Sequence, residues 1–180
     1  MEVKYIDYKE YFDGFGLENF LSKDECLDFI KMSEDIGYEE IKMRPDANRN
    51  MRTNKVIFHY DLKLANNLFE RVRGFLPEIN GLMPTSCNEK IKFYRYSANE
   101  RFRRHRDSHH INDNNERSFL SFLIYLNDGF VGGGTKFIRY NVTPKMGSAL
   151  IFRHDHRHEG SVIKSGTKYV LRTDIMYPAI

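Results

Sequence analysis

From residue 89 to residue 177 apolar side chains return at every second position, in short runs separated by glycine, proline, asparagine and aspartate. Ile91 and Phe93 alternate with Lys92, Tyr94 and Tyr96, Ser97-Ala98-Asn99 turns the chain, and residues 102–107 form the next short run. A period of two puts successive side chains on opposite faces of an extended backbone, so these runs predict strands. Residues 119–126 are apolar in both phases, as in a central strand covered on both sides. Further strands are expected over 135–140, 149–152, 158–163 and 168–177, with turns at Asn127-Asp128-Gly129, at 144–147 and at Gly166. Gly132-Gly133-Gly134 supplies backbone freedom that a Cβ would restrict. Seven or eight short strands behind an early helical region predict a mainly β fold, a two-sheet jelly roll with supporting N-terminal helices.

Residues 1–88 read as lead-in and helical support. Residues 1–21 are aromatic-rich, with Phe15, Leu17, Phe20 and Leu21 available for packing. Ser22 with Glu25 makes a capping box, and Cys26, Leu27, Phe29, Ile30 and Ile36 give a helical stripe ending at Gly37. Residues 44–50 are a polar turn, and 55–60 suit a short strand. Asp61 caps a second helix in which Leu62, Ala65, Leu68, Phe69, Val72, Phe75 and Leu76 recur at helical spacing until Pro77. Both helices are expected to cover one outer face of a sheet.

With 180 residues the chain fits a single domain, 1–180, whose strand core is 89–177. A net charge of +3 gives nucleic-acid binding no compositional support, although 101–106 is locally basic. Two cysteines, far apart and without a CxxC, suggest neither a disulfide framework nor a thiolate zinc site, and suit a reducing compartment. Met1-Glu2-Val3-Lys4 lacks the apolar run of a signal peptide and no segment reaches membrane-spanning length, so the expected location is cytoplasmic. The sequon Asn141-Val142-Thr143 then has no occasion to be modified.

His105 and Asp107 lie at i and i+2 of a strand-like run, so both project from one face, and His158 in a later run can close a three-ligand set. Two histidines and one carboxylate with open positions are the usual ligands of a non-haem Fe(II) oxygenase centre. Lys168 offers a fixed cation near such a site. His154, His156 and His158 alternate; His158 is preferred for its spacing to Lys168 and the Gly160 that follows, with His154 and His156 in the turn leading to it as solvated or supporting groups. Arg172 shares a strand phase with Lys168, Val170 and Asp174, and can reinforce an anion pocket, pair with Asp174 or Asp107, or touch substrate. Candidate substrate-facing residues are Arg103, Tyr94, His109 and Thr135, with Arg49 and Arg52 in the loop before the first core strand.

Phe93-Tyr94-Arg95-Tyr96, the run from Phe102 through His105-Arg106-Asp107, Gly133-Gly134-Thr135-Lys136-Phe137, Pro144-Lys145-Met146-Gly147, His158-Glu159-Gly160 and Gly166-Thr167-Lys168-Tyr169 follow in order. In this the chain resembles the 2-oxoglutarate and Fe(II)-dependent dioxygenase superfamily, in its prolyl 4-hydroxylase-like branch, over about residues 89–177. The resemblance implies a double-stranded β-helix with iron held by His105, Asp107 and His158. It further implies 2-oxoglutarate as cosubstrate, its distal carboxylate met by Lys168 and Tyr96 and with Arg172 in the same pocket, O2 as co-reactant and ascorbate as a possible reductant. Where the family often carries glycine before the metal motif this chain has Ser97-Ala98-Asn99, and Asn99 tolerates the left-handed conformation.

The implied activity is hydroxylation of an aliphatic carbon, in a prolyl residue of a peptide or protein or in a free amino acid or other small metabolite. A non-catalytic jelly-roll binding module would show an incomplete metal trio. A cupin-like metal hydrolase would need a general base, for which Glu159 is nearest but out of phase with His158. Nucleic-acid repair would need a broad basic surface.

Overall fold

The computed structural model describes residues 2–39 and 51–178. In chain order these form β1 (Lys4–Asp7), β2 (Gly14–Glu18), α1 (Lys23–Ile36), β3 (Lys55–Tyr60), α2 (Leu62–Val72) with a 3-10 turn (Arg73–Phe75), β4 (Ser86–Cys87), β5 (Lys90–Tyr96) and β6 (Phe102–His105). There follow β7 (Glu116–Tyr125), β8 (Val131–Gly132), β9 (Thr135–Lys136), β10 (Asn141–Val142), β11 (Ala149–Arg153), β12 (His158–Gly160), β13 (Ile163–Ser165) and β14 (Lys168–Pro178). The expected turn at 44–50, with Arg49, lies outside the described residues.

The helices begin where the sequence places them. Ser22 Oγ accepts from the Glu25 amide at 3.2 Å, and the Glu25 carboxylate accepts from the Ser22 amide at 2.7 Å. Asp61 caps α2 through the Leu64 amide at 2.9 Å. Arg71 of α2 pairs with Glu25 of α1 at 2.5 Å, which locks the two helices together. Their buried lines are narrower than periodicity suggests: Leu27, Ile36 and Leu62 are exposed, while Cys26, Ser33, Ala65, Leu68 and Val72 are buried. A helix lying on a sheet covers only the turns that touch it.

The large sheet runs β1-β2-β11-β7-β14-β5-β3, with β4 also paired to β14, and every pairing is antiparallel. One face carries Ile91, Phe93, Phe122, Ile124, Ile151 and Leu171 and packs beneath the helices. The opposite phase, Tyr94, Tyr96, Leu123, Tyr125, Leu150, Phe152 and Val170, meets Phe137, Val142 and Ile163 from the second layer. That layer is a small sheet, β10-β9-β12-β6, beside the pair β13-β8. The two layers make the double-stranded β-helix, and the cavity described below opens between them.

Several boundaries differ from the period-two reading. The lead-in contains β1 and β2, because β2 finds its partner in β11, far along the chain, which its own short segment does not reveal. The expected strand 135–140 stops at Lys136, since the Phe137 amide turns back onto the Tyr140 carbonyl at 2.8 Å. The strand expected over 158–163 is split into β12 and β13, which pair with different partners. The strand expected over 102–107 ends at His105, and the Asp107 amide donates to the His154 carbonyl instead, at 3.1 Å. Asn99 has φ 70°, so the left-handed turn is made without glycine.

Candidate metal centre and cosubstrate cavity

The pairing of β6 with β12 sets His105 directly opposite His158. Their rings lie 4.3 Å apart, centroid to centroid. Asp107, two residues past His105, brings its carboxylate between them, Oδ1 3.6 Å from His105 Nε2 and Oδ2 3.6 Å from His158 Nε2. One donor atom from each residue lies within 4.8 Å of the others, a group that could hold a metal ion.

The donor set suits a divalent ion. His105 Nδ1 bonds the Arg103 carbonyl at 2.7 Å and His158 Nδ1 bonds the His156 carbonyl at 3.0 Å. A carbonyl only accepts, so each Nδ1 carries the proton and each Nε2 presents a lone pair toward Asp107. Burial holds His158 neutral by lowering its pKa to about 4, against the opposing pull of Asp107. Phe102 stacks on the His105 ring at 3.6 Å, and Phe152 meets His158 edge-on at 4.6 Å, so neither imidazole is free to turn.

Asp107 is held through both oxygens. Arg172 Nη2 is 3.0 Å from Oδ1, and Ser121 Oγ donates to Oδ2 at 2.5 Å. Burial opposes its ionisation, but Arg172, then His105 and His158, outweigh burial and keep the carboxyl well below the usual carboxylate range. Arg172 also meets Asp174 at 3.0 Å and the Tyr94 hydroxyl at 3.3 Å, and Lys92 meets Asp174 at 3.5 Å. Of the alternatives for Arg172, the internal pair is therefore formed. Among the described residues only its Nε, which is buried, has no partner.

His105, Asp107, His158, Phe102, Tyr94 and Arg172 line one open cavity with Tyr96, Leu123, Tyr125, Thr135, Gly160, Lys168 and Val170. Lys168 is buried in its wall, 5.3 Å from the Tyr96 and Tyr125 ring centres. Its ammonium donates to the Gly133 carbonyl at 2.5 Å, and burial alone lowers its pKa to about 7. Among the described residues it has no carboxylate partner. A buried cation without a counterion is costly, and a ligand carboxylate would satisfy it. The glycine run makes that contact: Gly132 and Gly133 have φ 86° and 68°, values that present the Gly133 carbonyl to Lys168. The Tyr96 hydroxyl has no hydrogen-bond partner among the described residues, while Tyr125 is tied to Thr135 at 2.7 Å.

The candidate substrate-facing residues divide. Tyr94 and Thr135 line the cavity. Arg103 is exposed and outside it, contributing its carbonyl to His105. His109 is also outside, its Nδ1 on the Ser118 carbonyl at 2.6 Å. Glu159 meets Arg104 at 3.9 Å and does not line the cavity, as its strand phase requires. Arg52 lies over the Tyr94 and Phe102 rings at 4.9 and 4.3 Å. Sequence reasoning missed Ser121, Leu123 and Tyr125, which carry no chemical signature beyond lying in a buried strand.

Residues 91–173 match the model of the 2OG-Fe(II) oxygenase superfamily. A viral collagen prolyl hydroxylase from Paramecium bursaria Chlorella virus-1, in complex with 2-oxoglutarate, is 18% identical, with 92% of this chain and 95% of that one covered and a TM-score of 0.65. A prolyl hydroxylase from Trichoplax adhaerens, in complex with a hypoxia-inducible-factor peptide, is 17% identical over 89% and 81%, with a TM-score of 0.65. A Pseudomonas putida prolyl 4-hydroxylase is 17% identical over 89% and 90%, also with a TM-score of 0.65. No curated protein matches the chain.

The match over residues 91–173 and the likeness of fold support a 2OG-Fe(II) oxygenase, an oxidoreductase. The chain's fold is that of the prolyl 4-hydroxylases, and the superfamily implies Fe(II), 2-oxoglutarate and O2 as its cofactor and cosubstrates.

Proposed function

We propose that His105, Asp107 and His158 hold Fe(II), that Lys168 and Tyr96 receive the distal carboxylate of 2-oxoglutarate, and that the enzyme hydroxylates an aliphatic carbon of a prolyl residue in a peptide or protein. The observation that carries the reading is Lys168, a buried ammonium with no carboxylate partner among the described residues, in the wall of the same cavity as the trio. Likeness of fold to enzymes solved with 2-oxoglutarate and with a peptide supports both the cosubstrate and the substrate class.

Fe(II) and 2-oxoglutarate, when bound, supply O2 activation coupled to decarboxylation of the cosubstrate to succinate and CO2, one oxygen atom passing to the substrate carbon. The protein's share is positional and electrostatic. The carbonyls of Arg103 and His156 hold both imidazoles in the tautomer that offers Nε2. Arg172 and Ser121 hold the carboxylate plane and keep it ionised. Leu123, Tyr125 and Val170 make the cavity wall apolar around Lys168, which strengthens its attraction for an anion by excluding water. Two buried free thiols, Cys26 and Cys87, suit a reducing cytoplasmic compartment, where ascorbate would serve to keep the iron ferrous.

The test is succinate formation from 2-oxoglutarate by anaerobically iron-loaded protein exposed to air, with proline-containing peptides, free proline and other amino acids. Mass spectrometry should find one added oxygen on a prolyl residue, with turnover lost in His158→Ala and a much higher 2-oxoglutarate requirement in Lys168→Ala. Stimulation by free amino acids alone would overturn the peptide assignment; no succinate with any partner would overturn the cosubstrate assignment.

A further inference from the structure

Behind Asp107 lies a buried line of polar groups that the metal trio does not account for. His154 is 1% exposed, and Ser118 and Ser121 are completely buried. The His110 amide donates to Ser118 Oγ at 2.8 Å; Ser118 Oγ is 3.0 Å from His154 Nε2; His154 Nδ1 is 2.8 Å from Ser121 Oγ; and Ser121 reaches Asp107 Oδ2.

The ends of this line fix its direction. An amide N–H can only donate and an ionised carboxylate can only accept. Ser121 must therefore give its proton to Asp107 and accept from His154 Nδ1. Ser118 accepts from the His110 amide and, because buried His154 is neutral and its one ring proton is on Nδ1, gives its own proton to the bare Nε2. Every donor points toward the carboxylate, an arrangement in which each bond polarises the next. His154 is the pivot: its backbone also receives the Asp107 amide at 3.1 Å and donates to the Phe119 carbonyl at 3.0 Å.

A fold feature makes the line possible. Residues 118 and 121 of a regular strand face opposite sides. Here β7 shifts register against β14, with Leu120 opposite Ile175 but Ser118 opposite Met176. The bulge puts both hydroxyls on the side of His154, the re-aiming for which bulges are known.

We propose that His154, as its neutral Nδ1–H tautomer, is a positioning residue that orients the Ser121 hydroxyl onto Asp107 and so presets the carboxylate for the metal. The inference rests on Asp107 being a metal ligand. It assigns a role to a histidine whose alternation with His158 otherwise suggests a competing ligand.

Two measurements test it. In metal-free protein, long-range ¹H–¹⁵N correlation of the histidine rings should show His154 protonated at Nδ1 and bare at Nε2; a proton on Nε2 alone would overturn the proposal. This readout is independent of any metal. In the second, Co(II) affinity is titrated by visible absorption for wild type, Asp107→Ala, His154→Asn, His154→Gln and Ser121→Ala. Asparagine places an amide N–H near Nδ1, whereas glutamine reaches the Nε2 position instead.

His154→Asn should stay within about threefold of wild type, while His154→Gln and Ser121→Ala each weaken binding about tenfold or more, as loss of a group supporting a ligand does. The double variant His154→Gln/Ser121→Ala should lose little beyond either single one, because both act through Asp107 Oδ2. Equal affinity in the asparagine and glutamine variants, or additive losses, would sink the idea. Wild-type affinity in Asp107→Ala would instead refute the ligand assignment itself.

Discussion

The carboxylate of Asp107 and the guanidinium of Arg172 form a buried ion pair, Oδ1 to Nη2, at 3.0 Å, and the same nitrogen stands 3.0 Å from Asp174. Replacing Arg172 with methionine leaves two buried carboxylates without their main partner, which costs about 3–5 kcal/mol. In the wild type Asp107 and Asp174 ionise more readily than usual, so their contribution is present above the unfolded carboxyl pKa and is lost as pH falls through the lower folded values. In the variant burial is opposed only by the weaker partners, His105, His158 and Ser121 at Asp107 and Lys92 at Asp174, so both pKa values rise and protonation relieves part of the penalty. Urea unfolding should therefore show a large deficit at pH 7 that shrinks toward pH 4.5.

Lys168→Met should make the cosubstrate-free protein more stable while weakening 2-oxoglutarate binding. The folded pKa of Lys168 is about 7 against an ordinary 10.5, so between those values the unfolded chain binds more protons. Wild-type stability from this group climbs with pH across that window, and below it the penalty is complete. Thermal unfolding at pH 6 should place the methionine variant above wild type, with the gap closing as pH approaches 10.

The same lysine makes cosubstrate binding consume a proton. Above pH 7 the empty site holds a mostly neutral amine, and a carboxylate partner raises its pKa. Calorimetric titration of Mn(II)-loaded protein with 2-oxoglutarate at pH 8, in phosphate and in Tris, should show uptake approaching one proton. Affinity should fall up to about tenfold per pH unit above 7.

Gly147→Ala serves as a control at a residue that neither lines the cavity nor touches the metal trio. Gly147 has φ 74°, and a Cβ there would land against the Leu21 carbonyl, a backbone atom that cannot swing aside. A destabilisation of at least about 1–2 kcal/mol is expected from φ and close contact together. Co(II) affinity at pH 7, measured below the unfolding temperature, should be unchanged.

Local chemistry was readable. The capping box at Ser22 and Glu25, the Asp61 cap, the left-handed Asn99 and the alternation of β5 and β14 each depend on neighbours a few residues away, and all are present in the fold. The residues His105, Asp107, His158 and Lys168 stood out because their spacing within strand-like runs carries chemical meaning. By contrast, Leu27, Ile36 and Leu62 have the right period and lie exposed, since which turn of a helix is covered depends on the sheet beneath it. The strands of the lead-in were hidden for the same reason: β2 exists because β11 pairs with it.

Residue types and their phase thus determined the strand-rich core, the helix starts and the donor set at the cavity. Only the tertiary structure decided that His105 faces His158, through the β6–β12 register, and that Arg172 is spent on Asp107 and Asp174. It also decided that His154 is enclosed behind Asp107, because a bulge in β7 brings Ser118 and Ser121 to one side. The physical reason is that strand register and bulges are set by pairing between distant segments, and a shift of one residue turns a side chain to the opposite face.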